Sequence, residues 1–346
     1  MPYVDAPKTE ITVGEKNPRI LIVAADLESE IVSELVKGTI DGLTKSGVLR
    51  KNIFVETTDR AERIPALTRD ILVESISSNT KSGIYAFPGK EYGYDAVVAV
   101  GIFVEEDVPS GFDELSMEAY NAVLDVTLET QVPVVMGILT CYDYEQGLER
   151  AGIGRKTKGM NHGYFWATAA LSEIRVREMY CHGKSDVSIF EKVRPDTQQM
   201  VENAKEYAIC CAQWNMEVNS EIVLLLAELL VSSGKATYNT IHVYSASGSF
   251  ELPGLANYLG AVSPSGGSHK KFEAVFCIGS LIQGGTKHFK FIGDSVELAF
   301  KRIKSVKVVS GVLVVSSMNE AKHLAGIEVD GRPGKNIAYE LVKELD

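Results

Sequence analysis

Tyr94-Asp95-Ala96-Val97-Val98-Ala99-Val100-Gly101 and Phe272-Glu273-Ala274-Val275-Phe276-Cys277-Ile278-Gly279 are one pattern written twice, 178 residues apart: an aromatic residue and an acid, an apolar run, a closing glycine. Runs of this kind, rich in Val and Ile and without polar alternation, describe strands covered on both faces, as in a parallel sheet flanked by helices. The same holds for Ile20 to Val23, Val132 to Met136 and Val308 to Val315. A duplication at this spacing sets the architecture before any single element is assigned.

Working outward, Ile64-Pro65 answers Leu252-Pro253, and Ile20 to Ala24 answers Ala208 to Ala212, both at an offset of 188. The first copy therefore carries about ten extra residues before Tyr94, where Asn79, Gly83, Pro88, Gly89 and Gly93 mark an enlarged loop. Downstream, Gly137 answers Gly311 and Gly152 answers Gly326 at an offset of 174. Each copy then reads as strand and helix alternating four times. The prediction is an α/β chain of two tandem three-layer domains, each with a four-stranded parallel sheet. The first domain is expected over residues 18–185 after an extension of residues 1–17, the second over 204–346, with 186–203 as linker. Gly183, Lys184, Ser185, Asp186, Arg194, Pro195 and Asp196 break the pattern there.

Composition narrows the partners. Hydrophobic residues are 45% and charged residues 23%, so the chain is expected to fold as globular domains rather than remain disordered. The balance of 35 Lys and Arg against 46 Asp and Glu gives −11, which argues against nucleic acid and anionic membrane surfaces. A small anion remains compatible, since one arginine or a few backbone N–H groups can hold a phosphate. Five cysteines, Cys141, Cys181, Cys210, Cys211 and Cys277, lack zinc spacing and read as reduced, mostly buried thiols. Met1 to Lys16 has neither a basic start nor an apolar stretch, so no signal peptide is expected and a cytoplasmic location is the default. Ile222 to Val231, interrupted by Glu228, is too short to span a membrane and reads as a buried helix.

Ligands of open parallel sheets bind beyond the C-terminal ends of the strands. In the second copy three such ends carry unusual residues. Gln213-Trp214-Asn215 follows the first strand; Trp214 is either a core aromatic or a surface on which a planar heterocycle stacks. Ser247-Gly248-Ser249-Phe250-Glu251 follows the second; Glu251 is either a dipole-favoured helix acid or, with Ser249, a polyol ligand. Gly279-Ser280-Leu281-Ile282-Gln283-Gly284-Gly285-Thr286-Lys287-His288 follows the third and precedes a helix through about Ile303. It is either a tight turn with an incidental histidine or a phosphate cradle capped by Thr286.

At these residues the chain resembles the lumazine synthases. Members carry an aromatic-Asn pair after the first strand, a Gly-Ala/Ser-Phe/Tyr-Glu segment after the second and a Gly-x-Thr-x-His segment after the third. Trp214-Asn215, Gly248-Ser249-Phe250-Glu251 and Gly284-Gly285-Thr286-Lys287-His288 match all three. The first copy has Asp26 and Leu27 for the aromatic-Asn pair, Arg63 for the glutamate, and the acids Glu105, Glu106 and Asp107 in a site loop without histidine. It keeps instead the segments through Met136, Arg150 and Lys158, where the second copy has Ser310 and Leu324, with Arg332 the nearest counterpart of Lys158.

The resemblance implies condensation of 5-amino-6-ribitylaminouracil with 3,4-dihydroxy-2-butanone 4-phosphate to 6,7-dimethyl-8-ribityllumazine, releasing phosphate and water. It implies two small-molecule substrates, no metal and no organic cofactor, and a homo-oligomer with ring-like or shell-like assembly. His288 and Arg150 would be catalytic. Trp214, Asn215, Ser249, Phe250, Glu251, Ser280, Ile282, Gly284, Gly285 and Thr286 would bind substrate, with Met136 and Lys158 from a first copy. One composite site then combines the two copies' complementary remnants. The alternatives are a non-catalytic scaffold or flavin-precursor binding protein of the same family and the archaeal type of riboflavin synthase. His162, His182, His242, His269 and His323 show no ligand spacing and are given no role.

Overall fold

The computed structural model describes residues 13, 17–77, 93–108, 110–186, 204–262 and 271–345. Most of the enlarged first-copy loop, most of the expected linker, Pro109 and His269 lie outside these residues. The chain divides into two units. The first gathers the described residues up to Arg175 together with Thr286–Phe291; the second gathers Val176–Gly285 and the residues from Ile292 onward.

The first unit is built on β1 (Ile20–Ala25), β2 (Ile53–Thr58), β3 (Ala96–Val104) and β4 (Val134–Cys141), with α1 (Glu30–Lys45), α2 (Ile64–Ser77), α3 (Phe112–Thr130), α4 (Tyr144–Arg150) and most of α5 (Gly163–Cys181). All strand pairs are parallel and the order is β2-β1-β3-β4. No residue of β1 is more than 3% exposed, as a central strand covered on both faces requires. In α1, Ile31, Val32, Leu35, Val36, Thr39, Gly42 and Leu43 recur at three- and four-residue spacing and bury one face against Ile20, Ile22 and Val98. Gly137 in β4 is required by close approach: a Cβ there would stand 2.4 Å from the Ala99 carbonyl oxygen and 3.0 Å from the Trp166 ring.

The second unit repeats the plan with β5 (Tyr207–Ala212), α6 (Met216–Ser232), β6 (Ile241–Ala246), α7 (Leu252–Ala261), β7 (Ala274–Ile282), α8 (His288–Arg302), β8 (Lys307–Val315), α9 (Met318–Leu324) and α10 (Ala338–Lys343). Its sheet, also parallel, runs β6-β5-β7-β8. The first turn of α8 is the exception, grouping with the first unit. All five cysteines are free thiols, four of them buried and Cys181 half-buried. Among the described residues no helix is long and apolar enough to cross a membrane.

Three expectations need adjusting. Ile20 pairs with Ala96 as Tyr207 pairs with Ala274, so β1 aligns with β5 at an offset of 187 rather than 188. Leu27 and Glu28, not Asp26 and Leu27, thus stand in the places of Trp214 and Asn215. β7 runs past Gly279 to Ile282, so Ser280 and Ile282 are strand residues paired with Leu313 and Val315 rather than loop residues. β8 is covered on one face only: Val308, Ser310 and Val312 are half-buried and Val314 is exposed. The offset of 174 holds, with Met136 opposite Ala99 as Ser310 is opposite Cys277.

Candidate functional site

In the second unit the ends of β5 and β7 meet through a buried amide. Asn219, fully buried on α6, donates through Nδ2 to the carbonyls of Ala212 (2.9 Å) and Trp214 (2.8 Å) and accepts from the Ser280 hydroxyl at 2.6 Å. Asn215, left-handed at φ 58°, donates to the Ser280 carbonyl at 2.9 Å. These bonds hold the turn that carries the half-buried Trp214. A Cβ on Gly248 would lie 3.0 Å from Glu251 Oε2 and 3.7 Å from the Trp214 ring, so these two side chains flank one glycine. Ser249, Phe250 and Ser280 are buried, and a Cβ on Gly279 would stand 2.5 Å from Ser249 Oγ. Trp214, Glu251 and Ile282 are half-buried. Gly284 and Gly285 are exposed with open space where a Cβ would project, and neither has a positive φ. A side chain would therefore fit at either position, and the backbone there is open to approach.

The remaining candidates lie in the first unit. His288 opens α8, and its backbone N–H reaches the Thr286 hydroxyl at 3.4 Å. Its Nδ1 is hydrogen-bonded to the hydroxyl of Tyr120, a fully buried residue of α3. The rings meet edge to face with centroids 5.6 Å apart. Lys287 pairs with Glu105 at 3.3 Å and with Asp113 at 2.8 Å, which neutralises part of the acidity of the first copy's own loop. α3 begins at Phe112 as α8 begins at His288, and the first copy's loop before its helix has no histidine.

Arg150 closes α4, half-buried, with one long hydrogen bond to the Gln146 carbonyl at 3.4 Å. Among the described residues no carboxylate pairs with it. Its charge reaches several neighbours. Burial and then Arg150 push the His288 imidazole down to about 4. Burial, Arg150 and His288 push His162 down to about 3. Burial carries the Cys141 thiol up to about 11 and the Tyr120 phenol well above its ordinary value, against the pull of Arg150 on both. Both imidazoles are therefore neutral at pH 7. His288 does not rest near an ordinary histidine value but begins as a proton acceptor. Met136 is buried in β4 and Lys158 is exposed, with its carbonyl accepting from Gly154 N–H. Glycines at 159 and 334 close against the carbonyls of Glu149 and His323, so Pro333 rather than Arg332 occupies the place of Lys158. Among the described residues no group of three or more His, Cys, Asp or Glu is arranged to hold a metal ion.

Sequence reasoning missed three residues here. Tyr120 and Asn219 sit in the apolar faces of α3 and α6, where an aromatic and an amide read as core. His162 has no ligand spacing in the sequence, yet it shares the field of Arg150 and His288.

Two parallel four-stranded sheets of the same strand order, with side chains gathered past the strand ends, define a tandem α/β protein of flavodoxin-like type. The chain belongs to the 6,7-dimethyl-8-ribityllumazine synthase family, whose model matches residues 17–178 and again residues 204–346. Similar proteins of that name come from Chlorobium phaeovibrioides, 31% identical over 48% of this chain and 92% of the relative, and from Clostridium kluyveri, 33% identical over 46% and 89%. One from Schizosaccharomyces pombe is 31% identical over 47% and 89%. Each relative thus spans about half of this chain, as a duplication requires. A solved ABC domain in complex with L-Trp from Streptococcus pneumonia aligns over 95% of this chain and 85% of that chain at 11% identity, with a TM-score of only 0.22.

Proposed function

We propose that this chain makes 6,7-dimethyl-8-ribityllumazine by condensing 5-amino-6-ribitylaminouracil with 3,4-dihydroxy-2-butanone 4-phosphate, releasing phosphate and water, in riboflavin biosynthesis. The observation that carries the reading is Arg150: a half-buried guanidinium without a carboxylate partner among the described residues, whose charge acts on His288 within one unit. A cation so placed calls for an anion, and a phosphate ester supplies one. One site would combine residues of both copies. Trp214 stacks on the pyrimidine, Glu251, Asn215 and Ser249 serve the ribityl chain with Phe250, Ser280 and Ile282 behind them, and the Gly284, Gly285 and Thr286 backbone receives the phosphate. Arg150 and Lys158 add positive charge and Met136 an apolar wall.

His288, neutral at rest, accepts a proton as the amine attacks the ketone and returns it as water or phosphate departs. A bound phosphate opposes the field of Arg150 and raises the proton affinity of the ring when it is needed. Holding amine and ketone together supplies a further part of the rate. The chain is proposed to act in the cytoplasm as a homo-oligomer.

The test is lumazine formation, followed by absorbance, on mixing the purified chain with both substrates. Product that depends on His288 and Arg150 supports the reading. Tight binding of the ribityl pyrimidine without product overturns it in favour of a binding protein.

A further inference from the structure

Tyr120 holds the first turn of α8 in two ways. Its hydroxyl is hydrogen-bonded to His288 Nδ1, and its ring lies 5.9 Å, centroid to centroid, from that of Phe291, which packs edge to face on Phe112 at 6.3 Å. All four side chains belong to the first unit, and Tyr120 itself is fully buried. An imidazole has only two nitrogens, so a partner on one decides which is left for chemistry.

We propose that Tyr120 is a positioning residue for His288, tying Nδ1 to its hydroxyl so that the ring exchanges protons through Nε2 alone. The inference rests on the lumazine-forming reading above. A hydroxyl suits this task because its oxygen accepts from Nδ1–H. For Nε2 to accept, the neutral ring carries its proton on Nδ1, which donates to the phenol oxygen. Once Nε2 also carries a proton in the imidazolium, Nδ1–H still donates to that oxygen. The same bond serves both states and leaves the ring where it is. Over a catalytic cycle Nε2 takes one proton from the attacking amine and gives one to the departing oxygen, Nδ1 keeps its own, and no net proton is gained.

The chemistry also explains why the partner is a phenol and not a carboxylate. A carboxylate at Nδ1 would favour the imidazolium and raise the ring's proton affinity at rest. A buried phenol stays neutral and orients the ring without adding charge. The same neutrality leaves the guanidinium of Arg150 uncompensated and available to an anion.

Tyr120→Phe keeps the ring packing on Phe291 and removes only the hydroxyl. In the full chain labelled with 15N-histidine, with His288 signals assigned through His288→Gln, the wild-type ring is expected to show well-separated Nδ1 and Nε2 shifts, which move toward their average in Tyr120→Phe. With both substrates, kcat is expected to fall about five- to tenfold while both KM values stay the same, the loss of one hydrogen bond made to the working ring. Unmoved nitrogen shifts overturn the proposal, and so does unchanged kcat when the shifts have moved. If Tyr120→Phe does not fold, biosynthetic 3-fluorotyrosine replaces it: the His288 Nδ1 signal should move while that of the exposed His323 stays, and an unmoved His288 signal overturns the proposal. Absence of lumazine from the wild-type chain defeats the proposed function separately, while the nitrogen shifts still decide whether Tyr120 fixes the ring.

Discussion

Asn161 and Asn336 make the same pair of bonds in the two copies. Asn161 Nδ2 donates to the Glu34 carbonyl at 2.7 Å and its Oδ1 accepts from Gly163 N–H at 2.8 Å. Asn336 Nδ2 donates to the Glu221 carbonyl at 3.2 Å and its Oδ1 accepts from Ala338 N–H at 2.9 Å. Each amide fastens the entry of a late helix to the first helix of its own copy, beside a glycine with positive φ, Gly152 at 79° and Gly326 at 82°. Replacing Asn161 by alanine removes these two bonds, replacing Asn336 removes them and a third to the Ala325 carbonyl at 2.7 Å, and each change strands a backbone donor. The expected cost is about 1–3 kcal/mol for each variant, read as a lower urea midpoint at unchanged slope.

Much of this was legible in the sequence because strand register is rigid. Parallel pairing fixes which residue faces which, so glycines forced by close approach, such as Gly137 and Gly311, recur at a constant offset. The one-residue slip at β1 arose where the signal has no marker: Ile20 to Ala25 is apolar throughout, and every shift of it buries equally well. The overrun of β7 has the opposite cause. Gly279 looks like a strand end, but it is a strand residue made small to admit Ser249. The uncovered face of β8 was illegible because Val308, Val312 and Val314 have the composition of a core. The loops of Trp214, Glu251 and His288 stood out as polar or aromatic residues at strand ends. Tyr120 and Asn219 did not, since only folding gives their polar atoms a partner.

Stability should depend on pH through His288 and His162. Burial and Arg150 lower both, to about 4 and about 3, below the ordinary histidine value near ~6.5 of the unfolded chain. Below that value the unfolded state binds more protons than the folded one, so stability is full above about pH 6.5 and is lost as pH falls toward 4. Each histidine contributes a slope of at most about 1.4 kcal/mol per pH unit in that window. Urea titrations between pH 4.5 and 7.5 should show this decline, and His288→Gln should make it shallower.

Removing the imidazole tests its place in turnover. His288→Gln should lower kcat by on the order of 100-fold while leaving affinity for the ribityl pyrimidine within about threefold, as loss of general acid and base catalysis predicts. Steady-state kinetics with a binding titration separates the two effects. A matched loss of affinity would make the ring a substrate ligand instead.

Arg150→Ala removes a cation that has no carboxylate partner among the described residues, and its effects should fall on two observables at once. A charge-assisted contact to phosphate contributes about 1.5–3 kcal/mol, so KM for the four-carbon sugar phosphate should rise about 10- to 100-fold with KM for the pyrimidine unchanged. Because Arg150 is one of two causes lowering His288, its removal should also raise the histidine's titration point from about 4 toward its ordinary value. Burial, the larger cause, remains, so the rise should be partial. NMR titration of His288 in both forms reads the second effect without any substrate. A rise in KM with an unmoved histidine would mean that Arg150 holds the anion without setting the charge state of the ring; a moved histidine with unchanged KM would mean the reverse.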